Sequence, residues 1–168
     1  MKNCCGSGVP RCISRVATFF KRQVTVATIN EKKIKVISII EELSDEGVAI
    51  DSDRSETEQD AFLKEDGDTL TLSYLEVAEG GRTVSDIVIC KDTVTVLRTG
   101  AIESEFRFRE GVREKSVYKI PPYSFDVEIY TKKIRNNFTR TGGALSILYE
   151  MDIGGAKKRV IMKITDAE

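Results

Sequence analysis

The sequence predicts an all-β fold, a single antiparallel up-and-down β-barrel of about eight to ten strands. Segments that alternate apolar and polar residues with a period of two recur along the chain at the spacing of about 8–12 residues typical of barrels and sandwiches. Turn-forming residues separate these segments, as in "EDGD" at Glu65–Asp68. Most segments are apolar on one face and charged on the other, as an antiparallel sheet with one wet face requires.

The first predicted strands lie between Lys32 and Val77. The segment "KKIKVISII" opens the sheet, because it alternates and then becomes largely apolar. The acidic stretch "SDEGVAIDSDRSETEQD" is expected to form a loop that leads into a polar strand near residues 55–63. After the Asp-Gly turn, one face of "TLTLSYLEV" consists of Leu70, Leu72 and Tyr74.

The middle of the chain continues the same alternation. The segments "TVSDIVIC" and "TVTVLR" are joined by "KD", and Gly100 allows a tight connection to "AIESEFRFR". One face of this last segment consists of Ile102, Ser104, Phe106 and Phe108. Phe106 and Phe108 are bulky enough to fill much of a barrel interior.

The last predicted strands follow a break at Pro121–Pro122, because proline cannot donate to a β-ladder. A strand ends before the break, at Ile120, and a long strand begins after it. One side of the long strand carries Phe125, Val127, Ile129 and Thr131, and we expect Phe125 to point inward. The segments "ALSILYEMDI" and "KRVIMKIT", joined by "GGAK", complete the barrel.

The chain divides into a short leader, residues 1–31, and a barrel domain, residues 32–168. The first acidic residue is Glu31, and the residues before it carry five Lys or Arg side chains. The leader is expected to be disordered or helical, and its basic, acid-free composition also satisfies the loose pattern of an organelle transit peptide. Its cysteines, Cys4, Cys5 and Cys12, lack C-x2-C spacing, so we expect no metal site there.

The composition restricts the function more than it defines it. The chain has 168 residues, a net charge of −1 and no histidine. Catalytic triads, general bases and metal sites built on imidazole are therefore absent, and an enzyme would depend on Tyr, Lys or carboxylate side chains. We expect no cofactor and no membrane span, and the near-neutral charge makes nucleic acid an unfavourable partner. Four cysteines without a disulfide-like pattern favour a reducing compartment, the cytoplasm.

A series of scattered positions resembles a known family. They are Arg98 in "VLRTGA", the phenylalanines of "FRFREG", Tyr118 before "PPYSF", Thr131 in "IYTKKI", and the segment "GGALSILYEMDI". Together they resemble the small bacterial β-barrel family typified by YwiB, a domain of unknown function, from about Lys32 to Thr165. The chain departs from the pattern at Ser124, where the family has glycine. The resemblance implies a closed barrel similar to the calycins, which include the lipocalins, and many calycins bind small apolar molecules inside.

Arg98 is a charged residue on the apolar face of its strand, because it has the same phase as Val94 and Val96. Three interpretations remain open. In the first, the guanidinium has a structural role near a closed end of the barrel, where strand-end carbonyls or a carboxylate accept its hydrogen bonds. In the second, it binds the anionic group of a ligand. In the third, it reaches solvent at the turn. In the second case the residues expected to bind the ligand are Arg98, Tyr74, Tyr149, Thr131 and Tyr118.

The leading functional hypothesis is therefore a non-enzymatic barrel that binds a small apolar or anionic molecule in a roomy interior. The alternative is a protein-interaction or assembly module with a filled barrel, for which a homodimer is left open. An enzyme without histidine is the third and least favoured class.

Two charged clusters carry weaker signals. The acidic residues near Asp51 lack the spacing of a calcium loop. A basic cluster interleaved with Phe138 resembles a weak surface for single-stranded nucleic acid, and it consists of Lys132, Lys133, Arg135, Arg140, Lys157, Lys158 and Arg159.

Overall fold

Ten antiparallel strands form a closed barrel in the computed structural model, which describes residues 28–167. Each strand pairs with its neighbours in sequence, and β1 closes the barrel against β10. The strands are β1 (Thr28–Leu43), β2 (Ala49–Asp66), β3 (Thr69–Ala78), β4 (Gly81–Cys90), β5 (Thr93–Gly100), β6 (Glu103–Arg109), β7 (Arg113–Ile120), β8 (Tyr123–Asn136), β9 (Ala144–Ile153) and β10 (Ala156–Asp166). The predicted up-and-down barrel is confirmed, and its ten strands are the upper limit of the predicted number.

The predicted leader lies mostly outside the described residues, and so do Cys4, Cys5 and Cys12. Because β1 begins at Thr28, the last four residues assigned to the leader, 28–31, belong to the barrel wall. Within residues 28–167 there is no helix long and apolar enough to cross a membrane.

Alternation of period two decides which side chains fill the barrel. In β3 to β6 the buried positions alternate strictly with exposed or half-buried ones, as predicted. The buried aliphatic and aromatic side chains form one continuous core, whose members are Ile34, Ala61, Leu63, Leu70, Leu72, Tyr74, Ile87, Ile89, Val94, Val96, Phe106, Phe108, Val127, Ile129, Phe138, Leu145, Ile147, Tyr149, Val160, Met162 and Ile164.

The expected acidic loop was the main error in the prediction of the strands. Only residues 44–48 connect β1 to β2, and β2 already begins at Ala49. The physical reason is that β1 continues to Leu43 and supplies a hydrogen-bonding partner for the acidic segment, with Ile40 opposite Asp53. Lys35 Nζ then lies 3.0 Å from a carboxylate oxygen of Glu56 in β2, which compensates part of the acidic charge.

The β1–β2 hairpin extends beyond the barrel wall. Residues 61–66 of β2 pair with β3, whereas residues 49–60 pair with β1 alone. The described part of the chain leaves the second edge of residues 49–60 without a strand, and their side chains are exposed except for a half-buried Gln59.

One end of the barrel is closed by the segment between β8 and β9. Phe138 points into the barrel there and is 7% exposed. The segment is fixed by a hydrogen bond of 2.8 Å from the Gly143 amide to the Asp166 carboxylate. Gly142 has a φ of 118°, and a side chain there would collide with the same carboxylate. Any larger residue would therefore displace the closing segment.

Candidate functional site

A row of polar side chains crosses the inner wall at the end opposite Phe138. It consists of one residue from each of β3 to β7, namely Tyr74, Ser85, Arg98, Ser104 and Tyr118, and we call it the polar row. Each member lies directly opposite the next across a pair of neighbouring strands. Side chains in such positions have Cβ atoms about 4.5–5.5 Å apart, so the row is one continuous polar surface.

The strand around Arg98 explains its inward direction. Arg98 has the phase of Val94 and Val96, which are both buried in the core. The strand ends two residues later at Gly100, where φ is 127° and a side chain would collide with the Arg82 carbonyl oxygen. The Ala101 amide donates to that same oxygen at 2.8 Å. Because Gly100 has the same phase but no side chain, Arg98 is the last inward side chain of β5 before the barrel end.

Arg98 is half-buried and forms no ion pair within residues 28–167. The carboxylates on the strand that pairs with it, Glu103 and Glu105, face outward on β6. Glu103 pairs with Lys119 at 3.7 Å, and Glu105 pairs with Arg107 at 3.6 Å. A carboxylate partner, which one structural interpretation of Arg98 requires, is therefore not found among the described residues.

The charge of Arg98 acts on two buried tyrosines from different walls of the barrel. Burial raises the pKa of Tyr149, on β9, to about 12, and Arg98 opposes part of this rise. Burial and the nearby Glu76 also raise the pKa of Tyr74, on β3, and Arg98 again opposes the effect. The guanidinium is therefore close enough to both phenols to act on them electrostatically, as expected for an inward-pointing side chain, which argues against the interpretation that it only reaches solvent. Both phenols are protonated at neutral pH and can donate hydrogen bonds.

Two buried hydroxyl groups lack a hydrogen-bond partner within the described part of the chain. Ser104 Oγ belongs to a residue that is 7% exposed, and Thr131 Oγ1 to one that is fully buried. Ser104 lies opposite Arg98, and Thr131 lies opposite Tyr149. A buried hydroxyl without a partner is costly, so these two atoms mark places where a further polar group would be favourable.

The layer beneath the polar row is filled. Leu72, Ile87, Val96 and Phe106 lie two residues deeper on β3 to β6, and each is at most 3% exposed. The ring of Phe106 lies 6.1 Å from that of Tyr118, measured between centroids. A ring contact of 4.7 Å joins Tyr149 to Phe108 on the other side. This layer therefore fits the filled interior better than the roomy one.

A family model for a domain of unknown function, DUF1934, matches residues 37–163, most of the barrel. The chain belongs to the DUF1934 family.

A relative and a solved structure agree with this assignment. The chain is similar to the uncharacterized β-barrel protein YwiB of Bacillus subtilis (strain 168), with 27% identity over 89 residues. This alignment covers 53% of the chain and 63% of YwiB, so it spans less than two thirds of the relative. The crystal structure of YwiB from Bacillus subtilis matches with a TM-score of 0.66 and 22% identity, over 82% of this chain and 94% of that one. The structural match establishes the fold alone.

The structure of this DUF1934 member brings three of the five predicted ligand-binding residues into the polar row, whereas Thr131 lies beside the turn between β6 and β7, at the other end of the barrel. Arg98, Tyr74 and Tyr118 belong to the polar row, and Tyr149 lies within the electrostatic influence of Arg98. Thr131 is opposite Tyr149, at a β-bulge in β8. That any of them binds a ligand stays a prediction.

Ser85, Ser104 and Glu76 were not predicted for the site of this DUF1934 member. Ser85 Oγ donates to Glu76 Oε1 at 3.3 Å, which holds that carboxylate beside the polar row. The sequence could have indicated both serines, because each is a polar residue in the same phase as the buried apolar residues of its strand. A search for polar residues on apolar faces finds them.

Two expectations for the DUF1934 chain need correction. Phe125 does not fill the interior, because it lies at the rim with 39% of its surface exposed. Phe138 is buried and cannot stack on nucleic acid. Cations of the basic cluster also have carboxylate partners, since Lys132 pairs with Glu150 at 3.2 Å and Arg159 pairs with Glu41 at 3.2 Å.

Within the described residues of the DUF1934 chain, no group of three or more Cys, Asp or Glu side chains is placed to hold a metal ion.

Proposed function

We propose that this member of the DUF1934 family is a non-enzymatic barrel that binds a small anionic molecule at the polar row. The observation that carries the proposal is an inward arginine that forms no ion pair among residues 28–167, beside a serine hydroxyl that has no partner there. An arginine presents a planar fork of donors that is always charged and matches an oxyanion. A ligand that accepts hydrogen bonds from Arg98 and Ser104 supplies the acceptor that the described residues do not provide.

A binding function fits the site better than catalysis does. The polar row offers hydroxyl donors and one guanidinium, and its nearest carboxylate, Glu76, accepts from Ser85. The tyrosine pKa values are shifted upward, which makes these phenols weaker nucleophiles and weaker bases near neutral pH. We place the protein in the bacterial cytoplasm, because its four cysteines lack the spacing of a disulfide framework. A relation to the calycins stays a prediction.

Native mass spectrometry of the protein, purified gently from its own host, tests this function. We expect additional mass on the wild type that is lost in the Arg98→Met variant. Arg107→Met is the matched control, because Arg107 faces outward on the neighbouring strand and pairs with Glu105. Bare protein in all three samples would contradict the proposal.

An interaction module with a filled barrel is the second candidate, and one surface favours it. The outer faces of β2 to β5 expose five large apolar side chains that are close in register, namely Phe62, Leu75, Val77, Val84 and Leu97. Exposed apolar patches of this kind often mark interaction sites. If this module is the function, the double variant Leu75→Ser/Val77→Ser loses a partner that the wild type captures, whereas Arg98→Met retains it.

A further inference from the structure

The functional groups near Arg98 are almost all donors. Arg98 has five N–H donors, and the buried phenol of Tyr149 remains protonated at neutral pH. Ser104 adds a hydroxyl without a partner in the described structure. A ligand group among these atoms must therefore accept several hydrogen bonds, as the oxygens of an oxyanion do.

The charges on the inner wall limit the charge of that oxyanion. On the inward faces of β3 to β7, Arg98 is the one cation. Glu76 is an inward-facing carboxylate near the same end and acts electrostatically on Tyr74. One guanidinium neutralises one negative charge, and Glu76 repels a second. The site therefore favours a monoanion, such as a carboxylate, over the phosphate dianion that makes up a large part of inorganic phosphate at neutral pH.

The filled layer beneath the polar row limits the size of the ligand. Leu72, Ile87, Val96 and Phe106 occupy the axis below Arg98 and are almost fully buried. Protein interiors of this kind are close-packed, so an acyl chain cannot enter without displacing them. The apolar part of the ligand must be short or must remain outside the core.

We infer that the ligand is a compact monocarboxylate, held by Arg98 and Ser104 at the end of the barrel with no acyl chain in the axis. This inference rests on the proposed function and narrows its ligand to one chemical class. It also separates this barrel from carriers that enclose a long apolar molecule.

The test is a titration followed by the side-chain Nε–H resonance of Arg98 in NMR spectra, assigned with Arg98→Met. The probes are acetate, butyrate, octanoate and inorganic phosphate at constant ionic strength and neutral pH. We expect saturable shifts with acetate and butyrate, weaker binding of phosphate, and no gain in affinity from butyrate to octanoate. If the chain were buried, each added methylene would tighten binding roughly threefold to fourfold.

Two serine variants show whether Ser104 contacts the carboxylate. Ser104→Ala is expected to weaken butyrate binding about tenfold, as for a lost hydrogen bond to a charged group. Ser73→Ala is the control. Ser73 lies on the outer face of β3 and donates a hydrogen bond to Asp86 of β4, so its substitution should leave the affinity for butyrate unchanged.

The outcomes separate the inference from the proposed function. Affinity that rises steeply with chain length, or that is highest for phosphate, overturns the compact monocarboxylate and leaves anion binding intact. Equal effects of Ser104→Ala and Ser73→Ala overturn the role of Ser104. An Arg98 resonance that none of the anions moves overturns both the inference and the proposed function.

Discussion

Arg98 and Ser104 face each other across β5 and β6 on the inside of the barrel, and the Ser104 hydroxyl has no hydrogen-bond partner within residues 28–167. The register of two strands thus places a fixed positive charge beside an unused donor. A residue that stabilised the fold through a polar network would have its partners in place. Arg98 has no carboxylate partner in the described structure, and this difference leads to the first prediction.

Arg98→Met is expected to change the free energy of unfolding by less than about 1 kcal/mol, because no described carboxylate loses its partner. Urea unfolding of the variant and the wild type, each freed of ligand, measures the difference. A loss of about 3 kcal/mol or more would show that Arg98 anchors a buried network instead. Arg107→Met controls for the removal of a surface charge.

Thr131→Val is expected to stabilise the protein by about 1 kcal/mol, because it replaces a buried hydroxyl without a partner by a methyl group of similar size. Thr131→Ser is the matched control. It keeps the hydroxyl but removes the methyl group, so it should destabilise by about 1 kcal/mol. Thermal and urea unfolding measure both changes, and a destabilising Thr131→Val would mean that the hydroxyl has a partner in solution.

Stability is expected to fall at alkaline pH through Tyr149. Its folded pKa of about 12 lies above the ordinary value near 10, so the unfolded state loses its proton first as the pH rises. The contribution is complete below about pH 10 and is lost as the pH rises through about 12. Tyr149→Phe should flatten the dependence of the urea midpoint on pH between 9 and 12. The control is Tyr123→Phe at an exposed position, and equal slopes in the two variants would contradict the prediction.

Phe138→Ala is expected to destabilise the barrel by about 3–5 kcal/mol, because it removes the buried ring that closes one end. Phe62→Ala, at a half-exposed position on the outer wall, should cost far less. Calorimetry compares the two variants. If the closing segment is independent of the polar row, butyrate still shifts the Arg98 resonance when Phe138→Ala is folded.

Much of the fold could be predicted, because one local rule governs most strands. Alternation of period two placed Tyr74 and Arg98 on the inward face, and the structure confirms both positions. The same rule fails for the acidic segment, where charge indicates a loop. That segment is a strand because β1, which differs from it in composition but lies beside it in space, extends far enough to pair with it. Pairing of this kind is not visible in the segment itself.

The composition of the site was less predictable, because it depends on register between strands. The sequence indicated Arg98 as unusual but did not show that Ser104 would lie opposite it. β6 and β7 pair at two positions alone, Glu103 with Lys119 and Ser104 with Tyr118, and this short ladder places Tyr118 in the polar row. The filled layer below is likewise a property of the closed barrel, since its size depends on strand number and shear.

The second edge of β2 also affects how copies of the protein meet. A strand edge with free main-chain groups is a template for further strands and for aggregation. Along residues 49–60 this edge carries three exposed acidic side chains that form no ion pair within residues 28–167, namely Asp51, Asp53 and Glu58, whereas Glu56 pairs with Lys35 and Asp60 with Lys33. Two copies aligned edge to edge would oppose carboxylates to carboxylates, which is unfavourable at neutral pH. The acidity that makes β2 resemble a loop in the sequence thus disfavours edge-to-edge pairing of two copies along this strand.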